Sequence, residues 1–369
     1  MKYKAPLIIA EAGVNHNGDL DTAKKLIDAA AHAGADVVKF QSFVADRLAS
    51  PNARKARYQI DTTGRSESQH AMLRRLELSR ENHRILIDHC KATGITFLST
   101  PFDPEGLKML AQDFDLPQIK LGSGEVTNAP LLLAAAQTGK NIILSTGMSS
   151  LGEVENALGV LAFGYSGCTD RPSTESFSRA LCAPESHECL KEKVILMHCT
   201  SEYPTPPEHI NLKAMQTLRA AFDLPVGLSD HSEGIHIPVA ATALGARVIE
   251  KHFTLDRTQP GPDHKASLDP ADLSAMVHAI REVVRAMGDG IKRTASDDER
   301  DTKAMAQKSL YAARDLPAGQ VLDEGAIIVL RPGPVEGGLP PDSFWRVLGK
   351  KTRRALRHYD PITEGDLAP

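Results

Sequence analysis

The chain has 369 residues, of which 41% are hydrophobic and 24% charged, the balance of a globular protein with a sizeable core. Its 43 Lys and Arg against 47 Asp and Glu leave a net charge of -4, which gives nucleic acid no electrostatic reason to bind. No apolar run approaches the ~20 residues that span a bilayer, and the cysteines (Cys90, Cys168, Cys182, Cys189 and Cys199) are odd in number with no CxxC, which argues for free thiols in a reducing cytoplasm.

The start, MKYKAPLIIAEAG, is basic, but Glu11 interrupts its apolar segment. It reads as a first strand of a cytoplasmic protein rather than as a signal peptide. Eight short apolar runs follow one another: Leu7–Glu11, Asp36–Gln41, Ile95–Thr100, Gln118–Ser123, Asn141–Thr146, Val194–Cys199, Pro225–Asp230 and Arg247–His252. Each has the length and composition of a strand buried on both faces. The gaps carry helical periodicity, as in 21–33 and 80–92. Gly34, Gly94, Gly139 and Gly245 stand between helix and next strand, where a C-terminal cap belongs. Eight such units predict an α/β fold, a (β/α)8 TIM barrel, with its active site at the C-terminal ends of the strands.

Two excursions interrupt the repeat. Residues 42–79 follow the second strand and so belong to the catalytic face, as a lid or substrate wall. Residues 163–190 precede the sixth strand and are expected as a surface elaboration of the opposite face. A last helix at 271–287 completes the barrel domain, 1–288. A charged linker, 289–306, leads to a β-rich module, 307–369, whose short runs are separated by Pro-Ala-Gly and Asp-Glu-Gly turns.

The strand ends carry the chemistry. His231 and His252 lie 21 residues apart, one βα repeat, so adjacent strands deliver them to one rim. Two neutral imidazoles with open positions suit a divalent metal. Lys39 and Lys120, with hydroxyls at Thr100, Ser123, Ser145 and Ser229, make an anion pocket, and the Gly-flanked turns GSGE and STGM offer backbone N–H groups. Carboxylates stand at Glu11, Glu125 and Glu250. The set suits the joining of a phosphorylated acid to a carbonyl compound.

These strings, namely IIAEAGVNHNGDL, DVVKFQSF, FLSTPFD, IKLGSGE, ILSTGM, MHCTSEYPTP, GLSDHSEG, VIEKHFTLD and GPDHKASLDP, resemble the sialic acid synthases, including the legionaminic and pseudaminic acid synthases. The C-terminal KSLYAARDLPAGQ and LRPG resemble that family's antifreeze-like (SAF) domain. The resemblance implies an enzyme that condenses phosphoenolpyruvate with an open-chain N-acetylmannosamine-type aldehyde and releases phosphate. It implies Mn2+ at His231 and His252, phosphoenolpyruvate at Thr100, Lys120, Ser123, Ser145 and Ser229, and sugar at Gln41, Tyr203, Asp263 and Arg331. Glu11, Lys39, Glu125 and Glu250 are the catalytic candidates, Glu11 also touching sugar. Arg331 implies a homodimer in which the SAF domain reaches the other subunit's site. The sequence departs from the family pattern at LRPGPVEGGLPP, at Thr62 and at Ser201. A 2,4-diacetamido-6-deoxy sugar is the alternative substrate. A phosphorylated sugar, as in the octulosonate synthases, and a non-catalytic sugar-binding protein are the competing readings.

Overall fold

The computed structural model describes residues 4–64, 66–293, 296–331 and 338–368. The chain divides into two compact units, Met1–Asp289 and Gly290–Pro369. The first contains eight parallel strands: β1 (Leu7–Gly13), β2 (Val37–Ser42), β3 (Thr96–Pro101), β4 (Gln118–Leu121), β5 (Asn141–Ser145), β6 (Val194–His198), β7 (Val226–Asp230) and β8 (Val248–His252). Their order is β3-β2-β1-β8-β7-β6-β5-β4, with β1 bonded to both β2 and β8. β3 and β4, the ends of that order, pack side by side and bring the sheet round into the expected (β/α)8 barrel.

The helices form where the sequence caps them. Leu20–His32 begins at Asp19, whose Oδ1 accepts the Thr22 N–H at 2.7 Å, and Arg80–Thr93 begins at Ser79, whose Oγ accepts from Asn82 at 3.1 Å. Gly94 ends the second helix at φ 76°, in the left-handed region that a side chain resists. Gly34, Gly139 and Gly245 reverse the chain in the same way.

Side-chain alternation decides what each strand contributes. Ile9, Val37, Leu98, Ile143, Met197 and Val248 meet inside the ring as an apolar plug. Two residues further along the same six strands stand Glu11, Lys39, Thr100, Ser145, Cys199 and Glu250, all lining the barrel mouth. Intervening residues such as Ile8, Ala10, Val38 and Phe40 pack outward against the helices.

The excursion after β2 is folded rather than open. It holds helices Ala45–Leu48, Arg57–Thr63 and Gln69–Arg74, and Phe43, Met72 and Leu76 join Val14 in a small apolar cluster beneath them. Residues 163–190 carry helices Thr174–Cys182 and Pro184–Lys193, with Phe177 edge-on to Phe163 at 5.3 Å.

In the second unit, β9 (Ser309–Ala312) pairs antiparallel with β10 (Ile327–Leu330). Leu310, Leu316, Leu322, Val347, Leu356 and Ile362 form its core. Asp297–Ala306, within the stretch expected as linker, is a helix whose N-terminus is closed by Ser296 N–H donating to Glu299 Oε2 at 3.1 Å. Among the described residues no helix is long and apolar enough to cross a membrane.

Gly227 shows how tightly the plug closes. A Cβ there would lie 2.5 Å from the Val248 carbonyl oxygen and 2.6 Å from Met197 Sδ. Gly227→Ala should therefore destabilise the barrel by about 1–3 kcal/mol, seen as a lower urea midpoint. An unchanged midpoint would mean that β7 and β8 can part without cost.

Candidate active site

The mouth is a cavity of about 410 Å³, within the range of small-ligand sites. Its floor is a buried charge cluster. Glu250 lies between two amines, with Oε2 3.0 Å from Lys39 Nζ and Oε1 3.3 Å from Lys120 Nζ. Ser229 Oγ donates to the same Oε1 at 2.9 Å. Glu11 reaches one amine, Lys39 at 3.3 Å, and accepts from Gln41 Nε2 at 3.4 Å. Burial pushes both carboxyls up, but at Glu250 the two lysines overcome it and hold the group well below the ordinary range. At Glu11, with a half-share of one lysine, burial wins and raises the group to about 7. Lys39 approaches Glu11 Oε2 and Glu250 Oε2 without a directed hydrogen bond, since both oxygens lack one. Its directed hydrogen bond goes instead to Thr100 Oγ1, at 3.5 Å.

Lys120 donates to Ser145 Oγ at 2.8 Å, which aims the Ser145 hydroxyl hydrogen elsewhere. Thr100 Oγ1 stands 3.5 Å from Lys39 Nζ. Ser123 Oγ accepts the Gly147 N–H at 2.9 Å and contacts Cys199 Sγ at 3.1 Å. The STGM turn thus spends its Gly147 N–H on Ser123 rather than leaving it for a phosphate. A Cβ on Gly147 would meet Ser201 Oγ at 2.7 Å, Cys199 Sγ at 2.9 Å and Ser123 Oγ at 2.9 Å, so this wall has no room for a side chain.

Above the floor the two histidines face each other, ring centroids 5.6 Å apart. Burial holds His231 neutral, its imidazole lowered to about 4, and drives His252 well below the usual histidine range. His231 Nδ1 donates to the Thr200 carbonyl at 2.6 Å, which fixes the tautomer and leaves Nε2 as the lone-pair nitrogen. His252 Nδ1 is buried without a hydrogen bond, 3.9 Å from Asp263 Oδ2. Burial raises Asp263 to about 6. Among the described residues no three His, Cys, Asp or Glu side chains gather to hold a metal. Two neutral imidazoles, one with an orphaned nitrogen, nevertheless fit a divalent cation that takes its remaining ligands from substrate and water.

The chain matches the family model "NeuB family" over residues 26–292 and "SAF domain" over residues 307–368. It belongs to the NeuB family. The N,N'-diacetyllegionaminic acid synthase of Campylobacter jejuni is 46% identical, covering 98% of this chain and 100% of that protein. The enzyme of the same name from Legionella pneumophila is 41% identical, covering 93% and 89%. Among solved structures, the N-acetylneuraminic acid synthetase of Leptospira borgpetersenii superposes with a TM-score of 0.64 at 32% identity, covering 81% of this chain and 90% of that one.

The NeuB barrel gathers most of the residues singled out from sequence. Glu11, Lys39, Gln41, Thr100, Lys120, Ser123, Ser145, Tyr203, Ser229, His231, Glu250 and His252 line one mouth. Asp263 joins them: a Cβ on Gly13 would stand 3.3 Å from Glu11 Oε1, 3.5 Å from Asp263 Oδ2 and 3.5 Å from Gln41 Nε2. Glu125 does not line the cavity. It sits in the turn Ser123–Glu125 after β4, where its Oε2 accepts from Asn128 Nδ2 at 2.6 Å. Thr62 is also away from the mouth, its hydroxyl donating to the Tyr58 carbonyl at 3.0 Å. Arg331 is exposed at the end of β10, in the other unit. Of the departure LRPGPVEGGLPP, residues 332–337 lie outside the described residues. Phe102, Met148, Cys199, Ser201 and Gln69 line the mouth as well and were not assigned a role from sequence. Strand alternation would have found Cys199, two residues after Met197.

Glu250→Gln removes the counter-ion shared by two buried amines and should cost about 3–5 kcal/mol of stability. Adding Lys120→Met should recover part of that loss in urea unfolding. A double variant no more stable than Glu250→Gln would argue against the shared pair.

Proposed function

We propose that this protein condenses phosphoenolpyruvate with an open-chain 2,4-diacetamido-6-deoxy hexose and water, giving a diacetylated legionaminic-type nine-carbon acid and phosphate. The observation that carries the reaction class is the floor, where Lys39 and Lys120 share one ionised carboxylate beneath two neutral imidazoles. The similarity to the two N,N'-diacetyllegionaminic acid synthases favours the diacetamido sugar over N-acetylmannosamine.

In this reading the anionic carboxylate and phosphate of phosphoenolpyruvate lie over Lys39 and Lys120, with Thr100, Ser123 and Ser145 donating hydroxyl hydrogens, while Ser229, which lines the same pocket, keeps its hydrogen on Glu250 Oε1. His231 Nε2 and His252 would hold a divalent cation, manganese by the family's pattern, which when bound polarises the sugar's aldehyde oxygen. The enol carbon attacks the aldehyde carbon. Water adds to the resulting cationic carbon, a proton leaves that water, and the C–O bond to phosphate breaks. Glu11 is the carboxyl suited to exchange that proton, since it is raised to about 7 and lies at the mouth. Glu250 is too firmly ionised, and Glu125, in the turn after β4, does not line the cavity. Tyr203 packs 4.1 Å from His231, centroid to centroid, and walls the sugar side with Gln41 and Asp263.

Supplied with phosphoenolpyruvate and Mn2+, the enzyme should release phosphate with the diacetamido sugar, and product mass should equal that sugar plus pyruvate. Preference for N-acetylmannosamine, or a requirement for a sugar phosphate, would replace this substrate. Glu11→Gln should lower kcat by roughly 100-fold or more with little change in KM for phosphoenolpyruvate. His252→Ala should lose metal-dependent turnover while keeping its fold by circular dichroism, and normal turnover in either variant would remove that residue's role.

We also propose that the chain works as a homodimer in which Arg331 serves the sugar site of the partner copy. Arg331 is exposed, and no hydrogen bond or ion pair engages its side chain among the described residues. Mixing Arg331→Ala chains with His252→Ala chains should restore activity that neither has alone, because one hybrid mouth is then intact. No rescue would overturn the sharing.

A further inference from the structure

The helical excursion after β2 places two side chains at the mouth for which the reaction above has no use. Tyr58, on helix Arg57–Thr63, packs against Tyr203 with ring centroids 4.9 Å apart and planes tilted by 32°. Gln69 opens helix Gln69–Arg74, and both residues line the cavity.

A single buried amide sets them both. Gln59 Nε2 donates to Tyr58 Oη at 3.3 Å, and Gln59 Oε1 accepts from Gln69 Nε2 at 3.3 Å. Gln59 is itself pinned, because the same Oε1 accepts the Ala56 N–H at 3.0 Å. The consequences follow from donor and acceptor counts. The Tyr58 hydroxyl has received one hydrogen bond, and among the described residues its own hydrogen has no acceptor. Gln69 has committed one N–H, and its carbonyl oxygen has no donor among the described residues. The lid therefore turns one spare donor and one spare acceptor to the same cavity.

An acetamido group presents the complement, a carbonyl oxygen and an N–H on either side of its C–N bond. The sugar subsite of the barrel already has its own polar groups: Glu11 and Gln41 on the strands and Asp263 from the loop after β8, gathered around Gly13. We propose that Tyr58 and Gln69 bind the second acetamido group of the diacetamido sugar, with Tyr58 Oη–H donating to its carbonyl and Gln69 Oε1 accepting its N–H. Gln59 is the positioning residue that holds both. This assignment rests on the substrate proposed above and deepens it: the barrel conducts the reaction, and the lid selects a sugar with two amides over a sugar with one. A site that hydrogen-bonds an amide discriminates strongly against a sugar with a hydroxyl there, since both polar groups then lose matched partners.

The test uses the full-length enzyme with Mn2+ and phosphoenolpyruvate, and measures kcat/KM for the diacetamido sugar and for N-acetylmannosamine. Wild type decides the substrate: a preference for N-acetylmannosamine overturns the substrate proposal itself, before any variant is made. Given the diacetamido preference, Tyr58→Phe and Gln69→Leu should each lower kcat/KM for that sugar about 10-fold or more, mainly through KM, with N-acetylmannosamine turnover within about twofold of wild type. Gln69→Glu keeps the acceptor and should retain more of the preference than Gln69→Leu. Equal losses on both sugars would make Tyr58 and Gln69 structural supports of the lid and overturn the assignment, as would an unchanged ratio.

Discussion

Glu250 between Lys39 and Lys120 is the interaction on which the rest depends. Two amines buried in a ring of strands would be prohibitive alone, and the shared carboxylate makes them tolerable. That carboxylate is in turn held ionised only because both lysines and Ser229 reach it. Glu11 is left with too little compensation and is pushed towards neutrality. The floor is therefore biased towards positive charge and retains one carboxyl able to exchange a proton near neutral pH. An anionic substrate completes the neutralisation that the protein leaves undone, a form of electrostatic preorganisation.

Barrel closure is what makes that cluster possible. Lys39 comes from β2, Lys120 from β4 and Glu250 from β8, and only a ring brings such strands within 3.3 Å of one another's side chains. The plug of Ile9, Val37, Leu98, Ile143, Met197 and Val248 seals the charges from the far end of the barrel. It also fixes their height, since Glu11, Lys39 and Glu250 each stand one pleat above an apolar residue of the plug. The same geometry leaves the imidazoles one pleat higher, above Ser229 and Glu250, where burial keeps them neutral.

Much of this was legible in the sequence, for a definite reason. Strands buried on both faces announce themselves as apolar runs, and their polar endings mark the catalytic side, so His231, His252, Lys39 and Lys120 could be placed before any coordinates. Adjacency in sequence does not by itself bring a residue into the mouth. Lys251 and Asp230 adjoin the site residues in sequence, yet alternation turns them outward, where they pair with each other at 2.5 Å. Alternation could not place Glu125: it lies beyond β4 in a turn, where the period of two no longer holds and its Oε2 accepts from Asn128. The excursion after β2 was expected over the mouth, but Tyr58 and Gln69 could not be picked out within it, because they reach the mouth from short helices with no repeating pattern to extrapolate.

The division between strands and excursion has a chemical logic. Groups that handle phosphoenolpyruvate must hold their distances to a few tenths of an ångström, and strand ends fixed by ladders on both sides supply that rigidity. Groups that tell one sugar from another need only complement the sugar's periphery. A segment with its own small core, anchored by Phe43, Met72 and Leu76, can change there without disturbing Glu250 and its lysines. On the proposed assignment of Tyr58 and Gln69, the choice of sugar is then to be read from the helices over the mouth rather than from the barrel beneath it.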